Sequence, residues 1–598
     1  MGRISMRPLL VALAVVLLAA PAAATATQTR TPEPVKEPTA IGRGGAAATV
    51  DVLATAAAVD VLRRGGNAVD AAVAAAGVLG VTEPFSAGIG GGGFMVIRTA
   101  KGKVTTIDAR EKAHGAMQPD SFWANGAPLP FNEARYSGLS AGVPGTVLGW
   151  EKALRRYGTM SLRKVLEHGI EVAREGFVVD QVFFDQTLAN VDWFNDVPSS
   201  EALYLDPDGT PRDVGTTFRN PDLARAYERI AKLGSRGFYR GDIAEAIVDA
   251  VQRPPIAADA NHVWRPGLMT LDDLKRYTAP ERKPTKIRYR GLSVYGMGPP
   301  SSGGSTVGEA LNILEGYDLR NATRTQALHL FLEASRFAFA DRNAYLADPE
   351  YFDVPLRGLL SDGFAAERRA LINPARAATS PVPPGDPYPY DRGGSGGKAA
   401  VTATQSETTT HLTVSDRKGT VVSYTFTIES TGGNGVVVPG WGFLLNNELT
   451  DFNFDSLTHP NRVEGGKRPR SSMSPTIVLD RGKPRLALGS PGGSTIITTV
   501  LQILVDRLDL GATLPEAIAA PRATQRNTAS TLAEAAFLAS PEAQALVSTY
   551  GHVLAPTGEI GAATGIEFLR DGRVLAAAEP VRRGGGSAMI APSWRWKR

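Results

Sequence analysis

The stretch "SETTTHLTVSD", residues 406–416, decides how the fold of this chain is interpreted. It follows a segment rich in proline, glycine and serine, and it begins an alternation of apolar and polar residues that is typical of a β-strand. A turn at 416–419 and a second alternating run to Ile428 complete a predicted hairpin with one buried face. The abrupt change from irregular chain to strand suits a cut before one of the three consecutive threonines.

A threonine hydroxyl needs a neighbouring base before it can act as a nucleophile. A threonine that becomes the first residue of a chain carries its own base, because a free α-amino group has a pKa of about 7.7–8.0. The alternative is that these threonines reflect strand propensity and perform no chemistry. The hairpin pattern alone leaves both interpretations open.

Composition sets broad limits on the class of protein. The chain has 598 residues, of which 43% are hydrophobic and 21% charged, so we expect two globular domains or one large layered domain. The absence of cysteine excludes disulfides, thiol nucleophiles and thiolate metal sites. The seven histidines are scattered along the chain without an HExxH motif, so we predict no metal site.

Residues 1–26 have the layout of a secretory signal peptide. Arg3 and Arg7 precede the apolar run "LLVALAVVLLAA", and small residues offer cleavage sites near Ala24 and Ala26. The apolar run is too short to span a bilayer, so we predict no stable membrane anchor. The expected destination is the periplasm or the medium.

The charge balance argues against nucleic acid as a partner. Removing the leader takes away two positive charges and no negative ones, so a net charge of +4 becomes +2. The densest basic run, residues 282–290, alternates with Ile287 and Tyr289 and is interpreted as one solvated face of a strand.

Periodicity predicts the larger elements along the chain. We expect an alanine-rich helical region at 46–82, a strand at 94–98 and two amphipathic helices within 146–174. Further along the chain we expect a long helix at 325–345, a second hairpin at 476–488 and a helix at 495–508. Residues 376–408 have few large apolar side chains and many Pro, Gly and Ser residues, so this segment is predicted to be mobile and exposed.

Three motif matches lie in the wrong structural context. Residues 88–93 fit GxGxxG, but a predicted helix precedes them and a strand follows, which is the reverse of a dinucleotide-binding site. Residues 138–142 and 393–397 fit GxSxG without the preceding strand that a nucleophile elbow requires. All three are interpreted as turns.

Seven further motifs carry a resemblance to a known family. In chain order they are "EPFSAGIGGGGFMV", "DAREKA", "GVPGTVLGWEKAL", "TTHLTVSDRKG", "GFLLNNELTDF", "KRPRSSMSPTIV" and "LGSPGGSTIITTVLQ". Together they resemble the gamma-glutamyltranspeptidase family from about residue 45 to the C-terminus. The resemblance implies an α+β fold, a four-layer αββα sandwich of the N-terminal-nucleophile hydrolase type, in which the precursor cleaves itself into two subunits.

The family nucleophile is the first threonine of the T-T-H motif, which is Thr409 in this chain. The resemblance therefore implies cleavage between Thr408 and Thr409. The large subunit would be 27–408, ending in the segment 376–408, and the small catalytic subunit would be 409–598. The two pieces would remain together as a heterodimer.

Three further residues acquire catalytic roles from the resemblance. Thr427, 18 positions after Thr409, matches a family threonine that hydrogen-bonds the nucleophile. Gly492 and Gly493 lie between a predicted strand and a helix, where their amides can converge on one oxygen beside the positive end of the helix dipole. In the family these two amides form the oxyanion hole.

A γ-glutamyl donor carries an α-carboxylate and an α-ammonium, and the site needs partners for both. Arg110 suits the carboxylate because its planar fork can bind two oxygens. The other substrate-binding candidates are Ser471 and Ser472 for the carboxylate, and Glu429, Glu448 and Asp451 for the ammonium.

Two features depart from familiar members of the family. Glu429 and Glu448 stand where many members carry Asn and Gln, and three acids around one ammonium should repel one another, so one is expected to be partly protonated or paired elsewhere. Only 20 positions separate Asp451 from Ser471, whereas members with a lid over the pocket have a longer insertion there. We therefore predict an open site with little or no lid.

The resemblance implies an enzyme that cleaves the γ-glutamyl amide bond of glutathione and related compounds through a Thr409 ester. Water or an amino acid or peptide then accepts the γ-glutamyl group, and no cofactor is required. One alternative is a glutaryl-type (cephalosporin) acylase of the same superfamily, whose substrates lack the α-ammonium. The other is an inactive secreted binding module that kept the pocket.

Overall fold

A computed structural model of the chain describes residues 35–391 and 408–592. The predicted signal peptide 1–26, and residues 392–407 of the segment before the proposed cleavage site, lie outside the described residues. Within the described residues, no helix is long and apolar enough to cross a membrane.

Fourteen strands form two seven-stranded sheets. In chain order they are β1 Thr39–Gly42, β2 Gly44–Thr49, β3 Gly92–Arg98, β4 Val104–Ala109, β5 Glu281–Arg282, β6 Thr285–Tyr289, β7 Leu292–Gly296, β8 Thr410–Ser415, β9 Val421–Thr427, β10 Thr476–Asp480, β11 Lys483–Gly489, β12 Thr564–Phe568, β13 Val574–Ala578 and β14 Ser587–Pro592. One sheet has the order β1-β13-β12-β11-β10-β7-β6, and the other has the order β14-β2-β8-β9-β3-β4-β5. All pairings within these two sheets are antiparallel.

The longer helices each have eight or more residues. They are α1 Val52–Arg63, α2 Ala68–Thr82, α3 Thr146–Tyr157, α4 Glu167–Glu175, α5 Gln181–Leu188, α6 Pro221–Leu233, α7 Asp242–Gln252, α8 Gly303–Glu315, α9 Arg324–Tyr345, α10 Asp362–Ala370, α11 Thr495–Leu508 and α12 Pro541–Ser548.

Shorter elements connect them. The short α-helices are Phe131–Arg135, Leu162–Val165, Val191–Asn195, Pro198–Tyr204, Arg236–Tyr239, Leu271–Arg276, Leu356–Leu359, Tyr388–Asp391, Leu514–Ala519 and Ala535–Leu538, and two 3₁₀ turns are Glu448–Asp451 and Arg582–Gly584. Small strands pair outside the main sheets: Trp123–Ala124 with Ala127–Pro128, Phe177–Val178 with Thr217–Phe218, and Thr531–Ala533 with both Ala523–Thr524 and Leu554–Pro556.

The two sheets lie face to face, and helices cover both outer faces. Helices α1 and α2 pack with β2, β8 and β9 in one apolar core, whereas α8, α9 and α11 pack with β7, β10 and β11 in another. The small side chains of α2 (Ala, Gly and Val) allow it to be buried at every position between its neighbours. This architecture is an αββα sandwich, and it confirms the predicted fold class.

The central hairpin β8–β9 differs from its prediction in one respect. Every residue of both strands is buried, although one solvated face was expected. The apolar face, with Leu412 and Val414, packs into the core under α2. The polar face is buried against the other sheet, where the Thr413 and Ser423 hydroxyls contact its backbone carbonyls at 3.4 and 3.0 Å. Polar alternation here marks an interface between sheets and not contact with water.

Most predicted elements are confirmed, with shifted ends. The helical region predicted at 46–82 contains strand β2 before α1 and α2. An alanine run can form either a helix or a strand, and here residues 44–49 form a strand because they pair with β8 and β14. The long helix predicted at 325–345 is α9, and the helix predicted at 495–508 has those bounds in α11. The basic strand β6 exposes Lys286 and Arg288, as predicted.

The described part of the predicted mobile segment is packed against the body of the protein. Val382 is buried and exchanges two hydrogen bonds with the side chain of Asn527, at 2.7 and 2.9 Å. The Gly385 N–H donates to the Asp341 carboxylate at 2.6 Å, and the Ala377 N–H donates to the Tyr550 carbonyl at 2.7 Å. The side chains of residues 376–391 are partly buried and partly exposed, so these contacts correct the expected exposure only at buried positions such as Val382, and the mobility of the segment stays a prediction.

The fold brings together histidines that are far apart in the sequence. The His329 Nδ1 and His552 Nε2 atoms lie 2.9 Å apart, and with Glu333 they form a group whose potential metal-ligand atoms lie within 4.8 Å of one another. Protein groups already contact this cluster, because Glu333 pairs with Arg336 at 3.0 Å and the Asn373 carbonyl lies 2.9 Å from His329 Nε2. We interpret the cluster as a hydrogen-bonded part of the core.

Buried histidines predict a loss of stability in mild acid. Burial lowers the pKa of His411, His459 and His552 to about 3 and that of His114 to about 4. The unfolded chain takes up these protons near pH 6.5, whereas the folded chain does not. Their stabilising contribution is therefore complete above about pH 6.5 and is lost as pH falls below it, by at most about 1.4 kcal/mol per histidine and pH unit. Buried carboxyls with raised pKa values act in the opposite direction, so the histidine effect is isolated by comparison: relative to the unaltered protein, His552→Gln should gain in thermal midpoint as pH falls from 7 to 5, and an equal pH slope in both proteins would contradict this.

Candidate active site

Eight of the ten predicted site residues line one small cavity. It encloses about 200 Å³ and is bordered by Arg110, Thr409, Thr427, Glu429, Glu448, Asp451, Ser471, Ser472, Met473 and Ile496. Larger cavities are lined by other residues, so chemistry and not size identifies this site. The side chains come from positions as distant in the sequence as 110 and 496, and the sandwich brings them together at one end of β8 and β9.

A chain of hydroxyls connects the predicted nucleophile to the peptide bond before it. The Thr409 hydroxyl donates to the Thr427 hydroxyl at 3.4 Å, and the Thr427 hydroxyl donates to the Thr408 carbonyl oxygen at 2.7 Å. The Glu429 N–H also donates to the Thr427 hydroxyl, at 2.8 Å. Thr427 is therefore held by its neighbours between the attacking oxygen and the carbonyl of the predicted scissile bond.

His411 has no place in this chain of hydroxyls. Its ring nitrogens contact the hydroxyls of Thr425 and Thr413 at 2.8 and 3.1 Å, and the residue is fully buried. Its lowered pKa keeps the ring neutral. These contacts are consistent with a structural role for His411.

Glu429 is held in an uncommon backbone conformation. Strand β9 ends at Thr427, and Glu429 follows with a φ of 80°, the left-handed region that a residue with a side chain rarely adopts. Both residues line the cavity, as predicted, but a turn and not strand alternation directs the Glu429 side chain there. Its carboxylate accepts hydrogen bonds from the Ser430 hydroxyl and the Asn447 amide. Burial, and then the charge of Asp451, raise the pKa of Glu429 to about 8.

Glu448 and Asp451 lie at the two ends of one 3₁₀ turn. Residues three apart in such a turn eclipse one another, so both carboxylates face the same side. Each is paired with Arg110, whose Nη1 donates to Glu448 and whose Nη2 donates to Asp451. The guanidinium also donates to the Pro469 and Arg470 carbonyls at 3.1 and 3.0 Å.

This pairing adds a contact that the sequence did not predict. Arg110 was assigned to a carboxylate and the two acids to an ammonium, but without a ligand these opposite charges satisfy one another. Arg110 is fully buried, and a buried charge without a partner would be strongly unfavourable. A zwitterion with its own carboxylate and ammonium can replace both halves of this arrangement.

A residue that the sequence did not indicate positions Ser472. Arg342 of helix α9 donates from Nη2 to the Ser472 hydroxyl at 2.7 Å and from Nε to the Ser302 hydroxyl at 2.9 Å. Ser302 in turn donates from its N–H and its hydroxyl to the Ser471 carbonyl, both at 2.7 Å. No motif marks Arg342, which lies in the last turn of the buried helix α9, as part of a site.

Gly492 and Gly493 do not line the cavity themselves. They precede helix α11, whose Ile496 borders the cavity. Both have positive φ, 121° and 56°, and neither N–H has an acceptor among the described residues. Two unpaired amides at the start of a 14-residue helix can bind a negatively charged oxygen.

Residues 452–470 lie beside the cavity and contribute nothing to its lining. Phe452 and Phe454 pack into a separate apolar cluster with Phe122, and the Phe454 carbonyl accepts a hydrogen bond from Trp123 at 2.7 Å. The open site with little or no lid stays a prediction, and the anchoring of this segment beside Phe122 and Trp123 supports it.

A buried carboxyl lies behind Arg110. Glu111 is fully buried, 3.9 Å from Arg110 Nη1, and neither of its oxygens has a hydrogen-bond partner among the described residues. Burial raises the pKa of Glu111 to about 8. Both residues are fully buried, so Arg110 and Glu111 do not form a surface ion pair.

Comparisons with known proteins identify relatives of the whole chain. A sequence model described as gamma-glutamyltranspeptidase matches residues 54–589. The chain is 38% identical over 550 residues to a glutathione hydrolase proenzyme of Escherichia coli strain K12, with 90% of each chain covered. It is 40% identical over 494 residues to a glutathione hydrolase proenzyme of Bacillus subtilis strain 168, with 81% of each chain covered. The fold is similar to a cephalosporin acylase from Bacillus halodurans, with a TM-score of 0.81, 27% identity, and coverage of 95% of this chain and 99% of that one.

Proposed function

The chain belongs to the gamma-glutamyltranspeptidase family, and on that premise we propose that Thr409 is both the point of self-cleavage and the nucleophile of a γ-glutamyl transfer reaction. The enzyme is of the γ-glutamyltransferase and glutathione hydrolase type. The observation that carries the assignment of Thr409 is the hydroxyl chain from Thr409 through Thr427 to the Thr408 carbonyl.

Self-cleavage follows from that chain of hydroxyls. The Thr409 Oγ1 attacks the Thr408 carbonyl carbon, while the Thr427 hydroxyl stabilises the charge that develops on the carbonyl oxygen. The carbon–nitrogen bond breaks, the Thr409 nitrogen receives the hydroxyl proton, and residue 408 is left as an ester on Thr409. Water then hydrolyses this ester, which gives a carboxylate at Thr408 and a free α-amine at Thr409.

The free amine makes the second reaction possible. It accepts the Thr409 hydroxyl proton as Oγ1 attacks the γ-carbonyl of the donor, and the oxyanion binds to the Gly492 and Gly493 amides. The amine then passes the proton to the leaving amino group, and a γ-glutamyl ester remains on Thr409. Water releases glutamate from this ester, whereas an amino acid or peptide gives a transpeptidation product.

Recognition of the donor uses the charges already present in the cavity. The donor α-carboxylate pairs with the Arg110 guanidinium and accepts hydrogen bonds from Ser471 and Ser472. Arg110 then no longer pairs with Glu448 and Asp451, and these two carboxylates bind the donor α-ammonium together with Glu429. We propose glutathione and related γ-glutamyl compounds as donors.

N-terminal sequencing of the smaller fragment tests this function directly. On a denaturing gel we expect two fragments, the smaller beginning at Thr409, and hydrolysis of γ-glutamyl anilides by the pair. The inactive binding module predicts one uncut band without hydrolysis. A small fragment beginning elsewhere would contradict the assignment of Thr409.

The glutaryl-type acylase is the second candidate, and the similarity to a cephalosporin acylase favours it. Glutaryl substrates lack the α-ammonium, so three carboxylates around that position argue for γ-glutamyl donors. Comparing γ-glutamyl and glutaryl anilides separates the two functions. Preference for the glutaryl compound would replace our assignment.

The raised pKa of Glu429 predicts how donor binding depends on pH. With a pKa of about 8, the carboxyl is largely neutral at pH 6 and mostly ionised by pH 8.5. An ammonium binds the ionised form better, so we expect the KM for a γ-glutamyl anilide to fall as pH rises from 6 to 8.5. Steady-state kinetics across this range measure the effect.

Glu429→Gln provides the matched variant, because an amide of the same shape stays neutral at every pH. Its KM should be higher at pH 8.5 and should lose most of its pH dependence. A glutaryl anilide, which has no ammonium, should show little change of KM with pH in the unaltered enzyme. If the KM of Glu429→Gln depended on pH as strongly as the KM of the unaltered enzyme, Glu429 would not be the titrating group.

The subunits and the destination belong to the same proposal. Residues 27–408 form the large subunit and residues 409–598 the small one, and they stay together because β8 and β9 pair with β2 and β3 of the large subunit. The signal-like sequence at 1–26 supports export to the periplasm or the medium.

A further inference from the structure

We propose that Arg583 is a positioning residue, a clamp that holds the main chain of Thr409 once Thr409 has become the first residue of the small subunit. This inference rests on the proposed function and adds a residue that neither the motifs nor the cavity lining indicated. Arg583 does not contact the substrate, and it acts through the backbone of the nucleophile.

The Arg583 guanidinium connects the nucleophile to helix α2. Its Nη1 donates to the Thr409 carbonyl oxygen at 2.6 Å. Its Nη2 donates to the Glu83 carboxylate at 2.9 Å and to the Ser86 hydroxyl. Glu83 caps the C-terminal end of α2, so the clamp is anchored to a buried element.

The backbone of Arg583 is itself set for this contact. It lies in a 3₁₀ turn with a φ of 54°, in the left-handed region, and its N–H donates to the Glu559 carboxylate at 2.8 Å. A residue with a side chain rarely occupies this region unless its surroundings hold it there. Such strained residues cluster at functional sites.

Cleavage increases the importance of the clamp. In the intact chain, Thr408 is held by its N–H to the Glu429 carbonyl at 2.8 Å and by the Thr427 hydroxyl at its own carbonyl. Cutting the bond removes the covalent link through which these contacts restrain Thr409. Thr409 stays bonded to Thr410 of strand β8, and the hydrogen bonds left to it among the described residues are that of its hydroxyl to Thr427 at 3.4 Å and that of its carbonyl to Arg583. Chain ends are poorly ordered unless they are tied down, so Arg583 keeps the nucleophile in the reacting position.

The guanidinium also brings a positive charge close to the new amine. The amine and the carbonyl that Arg583 contacts belong to one residue, so the two cationic groups are within several ångströms of one another. A neighbouring positive charge lowers the pKa of an amine, which leaves more of it unprotonated and able to act as the base at neutral pH. Glu83 partly offsets this charge.

Other charged groups surround the clamp and contribute to the same field. On the α2 side burial raises the pKa of Glu83, and Arg583 and Lys36 oppose that rise. The remaining charged neighbours are Asp51 and Asp180 near Glu83, Glu559 at the Arg583 N–H, and Arg110, Glu429, Glu448 and Asp451 in the cavity.

The experiment compares Arg583→Gln, Arg583→Lys and Glu83→Gln with the unaltered enzyme. For each cut heterodimer, kcat, KM and the acid limb of the kcat profile for a γ-glutamyl anilide are measured, because Glu429 contributes its own titration to KM and hence to kcat/KM. In Arg583→Gln we expect kcat to fall about 10- to 100-fold, with a smaller change in KM, because the nucleophile is displaced. The apparent pKa of the acid limb should rise by about half a pH unit to one pH unit, because the loss of a positive charge near the Thr409 amine makes its protonated form more stable.

The other two variants separate a clamp from a merely structural residue. Arg583→Lys keeps the charge and should restore the acid limb and part of kcat. Glu83→Gln removes a negative charge and should move the acid limb down, opposite to Arg583→Gln. If Arg583→Gln remains uncut, Arg583→Lys and Glu83→Gln supply the comparison. A cut Arg583→Gln enzyme with the kcat and acid limb of the unaltered protein would overturn the clamp.

The unaltered enzyme distinguishes this failure from failure of the proposed function. If it is cut before Thr409 and hydrolyses γ-glutamyl anilides while every variant behaves as it does, only the clamp is wrong. If the unaltered chain is not cut there, the proposed function fails and the clamp fails with it.

Discussion

Thr409→Ala is expected to remain a single uncut chain and to lose hydrolysis of γ-glutamyl anilides by about 10⁴-fold or more. Alanine removes the oxygen that attacks the Thr408 carbonyl, so no α-amine is released. The same oxygen would form the γ-glutamyl ester, so both reactions fail together. A denaturing gel and an anilide assay measure the two effects.

Thr409→Ser is the matched control for this prediction. Serine keeps a hydroxyl and, once cut, an α-amine, so it should yield two fragments and retain part of the activity. Loss of the methyl group allows the hydroxyl to rotate away from Thr427 more easily, which should slow both steps. An uncut Thr409→Ala chain that still hydrolysed γ-glutamyl anilides at the original rate would refute the mechanism.

Gly492→Ala is expected to lower kcat by about 10²- to 10³-fold, with a much smaller change in KM. Gly492 has a φ of 121°, and an added Cβ would lie 2.7 Å from the Thr495 hydroxyl and 3.3 Å from Gly561. The loop must therefore shift, and the two amides would no longer converge on the oxyanion. Self-cleavage should persist, because the Thr408 carbonyl is contacted by Thr427 and not by this loop.

Gly482→Ala controls for backbone strain alone. Gly482 also has a positive φ, 83°, but nothing lies within 4 Å of its added Cβ, and it occupies the turn between β10 and β11. This variant should lose some thermal stability and keep its kcat. A Gly492→Ala enzyme with unchanged kcat would remove Gly492 from the oxyanion hole.

The sequence alone predicted a large part of the fold. Helix α11 has the predicted bounds, and the central hairpin lies where alternation placed it, because apolar periodicity is a local property of the chain. One prediction was wrong because burial depends on partners distant in sequence. The polar face of the hairpin was expected to be solvated, but it is buried against the other sheet through hydrogen bonds to its backbone.

The candidate site was predicted through motifs whose residues fix the chemistry. The resemblance named eight side chains of the cavity lining and assigned no role to Met473 and Ile496, which are apolar and resemble any core residue. Arg342 and Arg583 were also missed. Each lies in a stretch without a distinguishing pattern, and only the folded chain shows that they contact Ser472 and Thr409.

The sequence by itself determined the family, the order of the elements and the residue types that can perform the chemistry, since these depend on neighbouring residues along the chain. Only the tertiary structure decided that Arg110 is paired with Glu448 and Asp451 without a donor, and that Glu429 carries a raised pKa. Burial and the charges across the cavity determine both, and neither is a local property of the chain.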